Sequence, residues 1–546
     1  MLGLSLALSP QLAAQEGDEG AEIIRGRVFG PDSLPLRDAI VIVLGVQSEI
    51  EQTTRTNDQG LYTVLFPDPE GDYPVTVRHI GLAPQTHRVT RQGATSRLLV
   101  QDVKLSAVPQ QLEAVAVVGA AGRSPPRLGD DRSVGGKEQN ALGGKLFSLD
   151  PSDLNTLAAS VPGILRVPGA DERFDGFSVL GLPPDQNAVT VDGSTFDGTT
   201  LPEDAIARAT AKTTTYDPSQ GQFSGGQLAI GTRGANNRFT ANVRGTMMPT
   251  ALAWADPASP TPLPRDLSLG GSIGGPIRRG KAFYCGSFES KRASSDLSSL
   301  LNPNETVRAD RGIARATVDR LAGSLAGLRI PLMSSAIPDE QLNDRLSDFG
   351  RIDLRPTATS SVTMRGDESW TRNDGSGISA LAFPAQGSGK RSDKLGLQIS
   401  TAVYFGGFLS EFKTYAQRTS SSSEPYVFLP RGSVRLGTAY DDGRVGLTSI
   451  DFGGGNASIS RQETQRWETK HELSWMTVDS RHRLKLGQQF SLWRTTGHAV
   501  SDPFGRFSYA SLTDLEANLP ASYSRTLDSR ARSFSGVEGA LWAGDE

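Results

Sequence analysis

The chain has 546 residues, material for about three to four domains, and Lys+Arg 56 against Asp+Glu 60 leaves a net charge of −4, without the basic excess of a nucleic-acid binder. Hydrophobic residues make up 37% and there are 60 glycines, a balance that counts against a helix-rich enzyme and suits short strands joined by turns. No run approaches the ~18 continuous apolar residues of a transmembrane helix, which leaves a β-barrel span open because its signal is much weaker.

Residues 1–15 carry a short apolar run, Leu2 to Leu8, followed by Leu12-Ala13-Ala14-Gln15. This is read as the remnant of a secretory signal peptide whose charged start is missing. Cys285 is the only cysteine, so no internal disulfide forms; in the run Ala282 to Cys285 it is expected to be a small packed side chain.

Residues 24–105 form the first block. Val28, Ala39 to Leu44, Tyr62 to Phe66 and Tyr73 to Val77 read as strands, separated by turn clusters at 30–32, 57–60 and 69–72, which predicts a small β-sandwich. The motifs Ile24-Arg25-Gly26-Arg27-Val28, Pro35-Leu36-Arg37-Asp38-Ala39, Thr56 to Tyr62 and Gly71-Asp72-Tyr73 resemble a carboxypeptidase regulatory-like domain. That resemblance implies a transthyretin-like sandwich and no catalytic role.

Residues 106–147 read as a linker, broken by Gly119 to Arg123, Pro125-Pro126 and Gly135-Gly136. Within it Leu112-Glu113-Ala114-Val115-Ala116-Val117-Val118 is a β-prone run able to add to another protein's sheet edge. It resembles the TonB box of TonB-dependent outer-membrane receptors; a last sandwich strand or a sticky linker are the alternatives.

Residues 148–236 follow. Pro151-Ser152-Asp153-Leu154 offers a helix start with Leu154, Leu157 and Val161 on one face, ended by Val161-Pro162-Gly163-Ile164. With Val191-Asp192-Gly193 and the strand after Gly225-Gly226, this block resembles the α+β plug domain of the same receptors. The family's Arg-Gly ahead of Val-Asp-Gly is replaced by Leu180-Gly181, which leaves the role of that arginine without an owner.

From 237 to 546 apolar and polar residues alternate with a period of two. Phe239, Ala241 and Val243 alternate with Arg238, Thr240 and Arg244; Val362 and Met364 with Thr363, Arg365 and Asp367; Leu484, Leu486, Phe490 and Leu492 with Lys485, Gln489 and Ser491. Segments of ~9–11 residues fit tilted barrel spans, with the apolar face to lipid and the charged face to a wet lumen. Leu395 to Ser410 alternates and contains Gly406-Gly407, so strands are expected there. Residues 276–281 read as a tight turn, and 292–347 and 418–460 as long polar loops. The segments 274–284, 351–357, 481–487 and 507–515 resemble the Oar-like subgroup of these receptors.

About ten strand candidates follow residue 237, against about 22 strands in plugged transporters, and Phe534 to Trp542 runs directly to Glu546. An unclosed sheet would leave backbone donors facing lipid at several kcal/mol each. The expectation is a truncated product or an assembly-edge fragment that forms no stable pore alone: a mainly β chain with a sandwich, a plug and the first part of an incomplete transmembrane antiparallel barrel.

No catalytic set emerges. His471-Glu472 lacks the second histidine of an H-E-x-x-H site, Gly143-Gly144-Lys145 lacks the rest of a phosphate loop, and no G-x-S-x-G elbow occurs. The acidic clusters Asp68, Glu70, Asp72 and Asp130-Asp131 read as solvated loops. The resemblance therefore implies a receptor in the bacterial outer membrane, with its N-terminal domain periplasmic and no catalytic or metal residues and no cofactor. It implies outer-membrane lipid, TonB with its ExbB–ExbD motor, and an extracellular siderophore, glycan or peptide as partners, without nucleic acid. The rival reading is a secreted or periplasmic multi-domain β-sandwich protein that binds carbohydrate or protein; a zinc carboxypeptidase lacks its ligand set.

Overall fold

The computed structural model describes residues 21–46, 50–67, 71–91, 97–107, 134–135, 153–159, 164–168, 174–179, 181–198, 200–212, 226–248, 265–301, 312–379, 381–439, 445–455, 459–476, 483–527 and 530–545. The signal-like 1–15 and the β-prone run 112–118 lie outside them, as do Val161, Pro162, Gly163 and Gly225. So do Asp68, Glu70 and Asp130-Asp131.

The N-terminal block is a two-sheet sandwich. Leu61–Phe66, Glu22–Phe29 and Leu98–Val100 form one sheet, with Val103–Lys104 alongside; Glu51–Arg55, Ile40–Leu44, Asp72–Arg78 and Gln85–Thr90 form the other. Alternation decides the facing: Val41, Val43, Tyr73, Val75 and Val77 are fully buried between the sheets with Ile24, Val28 and Val64. The Asn57 side chain accepts from the amides of Gln59 (3.0 Å) and Leu61 (2.9 Å), and Gly60 takes φ 70° where a Cβ would lie 2.6 Å from the Val28 carbonyl. Glu51–Arg55 and Gln85–Thr90 are additional strands, too polar to show in the sequence pattern.

The plug has its own core. Helix Leu154–Ala159 buries Leu154 and Leu157 against Val179, Val191, Leu228 and Ile230. Its central sheet runs Val134–Gly135, Ile206–Lys212, Gln227–Thr232, Ala188–Val191, Ser194–Thr195, with a separate hairpin of Ile164–Pro168 and Phe174–Val179. Gly226 sits where a Cβ would meet the Val179 side chain at 2.7 Å, so only glycine lets the two layers approach this closely.

The remainder builds one ten-stranded antiparallel sheet: Thr240–Met248, Arg265–Arg278, Ala282–Asp296, Glu340–Thr357, Ser360–Ser376, Ser388–Phe405, Phe408–Pro425, Ile459–Met476, Arg483–Val500 and Arg532–Asp545. Among the described residues its first and last strands each pair on one side only. Its amphipathicity is inverted relative to a water-soluble sheet. On the strand Ser388–Phe405, Leu395 (51% exposed), Leu397 (60%), Ile399 and Val403 face outward, while Lys394, Gln398 and Ala402 are buried on the concave side. Leu484, Leu486, Phe490 and Leu492 repeat this against buried Lys485 and Ser491.

The strands reach 18 residues, longer than the span expected from the sequence. The outward apolar band nevertheless occupies only about ten residues of each, the length a tilted strand needs. The surplus carries ion pairs toward one end, such as Arg292–Asp344 (2.6 Å), Arg372–Asp374 (2.5 Å) and Arg418–Glu463 (3.0 Å). Tight turns close the opposite end at 279–281, 358–359 and Gly406-Gly407, where Phe405, Phe408 and Trp475 stack at 6.1 and 5.9 Å.

The reading of 292–347 and 418–460 as polar loops is corrected. These connections form a cap with its own core. Val445–Gly453, Arg431–Ala439, Arg506–Tyr509 and Ser522–Ser524 make a four-stranded sheet, and helix Arg315–Gly327 turns Val318, Leu321 and Leu325 inward against Phe383, Val434, Ile450 and Leu515. The segment 507–515 belongs to this cap, as a short strand and the helix Leu512–Glu516, and not to the ten-stranded sheet, called the wall below. The cap was hidden because its apolar residues are contributed by four separate connections.

Candidate functional site: the contact between plug and wall

Val191-Asp192-Gly193 is the tip of a two-residue hairpin in which Val191 pairs with Ser194. Asp192 and Gly193 both have positive φ, 49° and 79°, the geometry that makes Asp-Gly the favoured pair in such turns. The turn projects the Asp192 carboxylate and backbone carbonyl at the concave face of the sheet.

Inside the plug, Asp192 Oδ1 accepts from the Thr232 amide (2.8 Å) and Oδ2 from the Thr232 hydroxyl (2.7 Å). From the wall, Arg365 Nη1 donates to Oδ2 (3.1 Å) and to the Val191 carbonyl (2.8 Å), and Lys413 Nζ donates to the Asp192 carbonyl (3.1 Å). Arg351 Nη1 reaches the Thr232 hydroxyl (3.0 Å) and carbonyl (3.2 Å). Four wall strands hold these donors in place. Arg351 Nε is anchored on Asp353 (2.9 Å); Arg365 lies over the Tyr415 ring (5.2 Å) and pairs with Asp367 (3.4 Å), which also takes Lys394 (2.9 Å).

Burial pushes the Asp192 carboxyl up, but the Arg365 and Arg351 guanidiniums and the two Thr232 bonds outweigh it and hold it at about 2. The group is therefore ionised at neutral pH and the contact is ionic. Two further contacts flank it. Asp197 pairs with Gln417 and with Arg466 (3.3 Å), and Arg244 of the first wall strand ties Glu203 (2.8 Å) and Asp204 (3.6 Å) of the plug to Glu289 of the wall (3.4 Å).

Of the residues singled out in the sequence, Val191, Asp192 and Gly193 form the tip and Gly226 packs behind it. The wall arginines Arg351 and Arg365 were visible only as charges on the alternating face. Nothing in one-dimensional spacing tied them to Asp192, which lies far from both in the chain (173 residues from Arg365). Cys285 is half-buried, its thiol donating to the Arg233 carbonyl (3.1 Å). Among the described residues no group of three or more His, Cys, Asp or Glu side chains is placed to hold a metal ion. The site joins two separately cored parts of one chain through ionic and hydrogen-bonded contacts.

Residues 23–106 match the carboxypeptidase regulatory-like domain. No curated protein matches the sequence. Among solved structures, the outer membrane transporter YddB from Escherichia coli is similar at 10% identity, covering 72% of this chain and 52% of that one with a TM-score of 0.49. The ferric yersiniabactin uptake receptor FyuA from Yersinia pestis gives 13%, 75%, 61% and 0.42 in the same order, and a mutant of the ferric enterobactin receptor PfeA from Pseudomonas aeruginosa 12%, 63%, 47% and 0.43. The chain thus spans about half the length of the structures it resembles.

Proposed function

We propose that this chain acts as an outer-membrane receptor that binds a solute outside the cell and imports it with energy transmitted by TonB. One observation carries the reading: a separately folded plug is held by ionic contacts against the polar concave face of a sheet whose other face is apolar and exposed. A soluble sandwich protein has no use for that outer face, whereas lipid accepts it and a wet lumen accepts the charges.

In this reading the cap and the upper plug receive the solute, of siderophore, glycan or peptide class. TonB, driven by ExbB–ExbD, pairs with the strand 112–118 and pulls. The plug's contacts at Asp192, Asp197 and Arg244 are then exchanged for water, opening a polar path. The chain is asked for strand addition and plug release, not for covalent chemistry.

The test is disulfide trapping. With Cys285→Ser as background, Val115→Cys is expected to cross-link to a cysteine placed in the strand-pairing region of TonB, and Asp192→Cys is not. No cross-link from 112–118, with the protein present in the outer membrane, would overturn the TonB-driven part.

A further inference from the structure

The regulatory-like domain is docked on the tight-turn end of the sheet. The Leu65 amide donates to the Ala358 carbonyl (2.8 Å), in the turn between two wall strands, and the Ala21 amide to Glu411 Oε1 (2.9 Å). Arg97 approaches the same Glu411 carboxylate (3.8 Å), with both side chains largely buried. Ala21, Ile23 and Leu65 form one apolar cluster with Ala402 and Leu409 of the concave face, and the sandwich core continues into Phe283 and Ala235. Arg355, 5% exposed, lies between the Phe66 ring of the domain and the Phe283 ring of the wall at 5.8 and 5.5 Å.

We infer that this domain is a second closure of the import path, set below the plug, and that it is released when the chain is pulled. This rests on the receptor reading above. A solute following the concave face would leave it at Arg355, Ala402 and Leu409, which the domain covers.

Ala402 reports the closure, because it is 8% exposed beneath the domain and tolerates a small change. The full chain carrying Ala402→Cys and Cys285→Ser is treated with a small maleimide in growing host cells, with and without a protonophore. Labelling is expected to be roughly tenfold faster in energised cells, as for any site read out by local opening. Glu411→Ala, which removes the Ala21 and Arg97 partner, is expected to bring fast labelling to protonophore-treated cells as well. Leu65→Cys with Ala358→Cys is expected to cross-link in treated cells and to lose that cross-link in energised ones. Equal labelling of Ala402→Cys in both states, or its indifference to Glu411→Ala, overturns the closure. Absence of the protein from the outer-membrane fraction instead overturns the receptor reading on which it stands.

Discussion

Asp192 has two sets of partners that do different work. Thr232 fixes the carboxylate within the plug, while Arg365 and Arg351 bind it and its threonine from the wall. Arg365 is almost wholly buried, so removing the Asp192 charge takes away one of the two carboxylates that face it. Asp192→Asn is expected to weaken the plug's hold by about 2 kcal/mol, the loss of a charge-assisted hydrogen bond, read as faster hydrogen exchange at the Thr232 amide with the wall unchanged. The carboxyl is held at about 2 in the folded chain, below the ordinary ~3.9. Its contribution is therefore complete above pH ~4 and is lost as pH falls toward 2. The wild type is expected to lose plug protection across that window, and Asp192→Asn to show no such step. At this scale the sequence showed half of the contact: the Asp-Gly turn has a local signature, whereas a guanidinium 173 residues away has none.

The strands and the cap obey opposite rules of burial. On the wall, charge faces in and hydrocarbon out; in the cap, Leu321, Leu325, Phe383 and Ile450 are buried and the charges are outside. Leu397→Arg places a cation in the middle of the outward band and is expected to cost about 2–4 kcal/mol of membrane stability, seen as reduced assembled protein, whereas Leu397→Phe is expected to be neutral. Leu321→Ala is expected to cost about 2–5 kcal/mol within the cap, seen as protease cleavage in 312–339 with the wall intact. Arg320→Ala removes an exposed bidentate pair with Glu516, whose carboxyl that arginine's hydrogen bonds hold below its usual range, and is expected to leave the cap's protease resistance as it was. The wall was readable because each strand repeats its own period-two pattern. The cap was not, because Leu321, Phe383, Val434 and Tyr509 meet only after the wall has brought four connections together.

At the scale of the molecule, three bodies share one axis of contacts: a sandwich at the tight-turn end, a plug against the concave face, and a cap at the other end. The order of sandwich, plug and sheet was legible because each has its own composition. The docking of sandwich on wall was not, since it depends on Leu65, Phe66 and Glu411, each of which reads as an ordinary strand residue. Whether the ten-stranded sheet stands in a membrane is decided by fractionating host cells and running the protein on a gel with and without boiling. Recovery with the outer membrane, extraction only by detergent, and a band that shifts on heating are expected. A species that stays soluble in the periplasm or medium without detergent, and migrates the same boiled or unboiled, would contradict a place in the membrane.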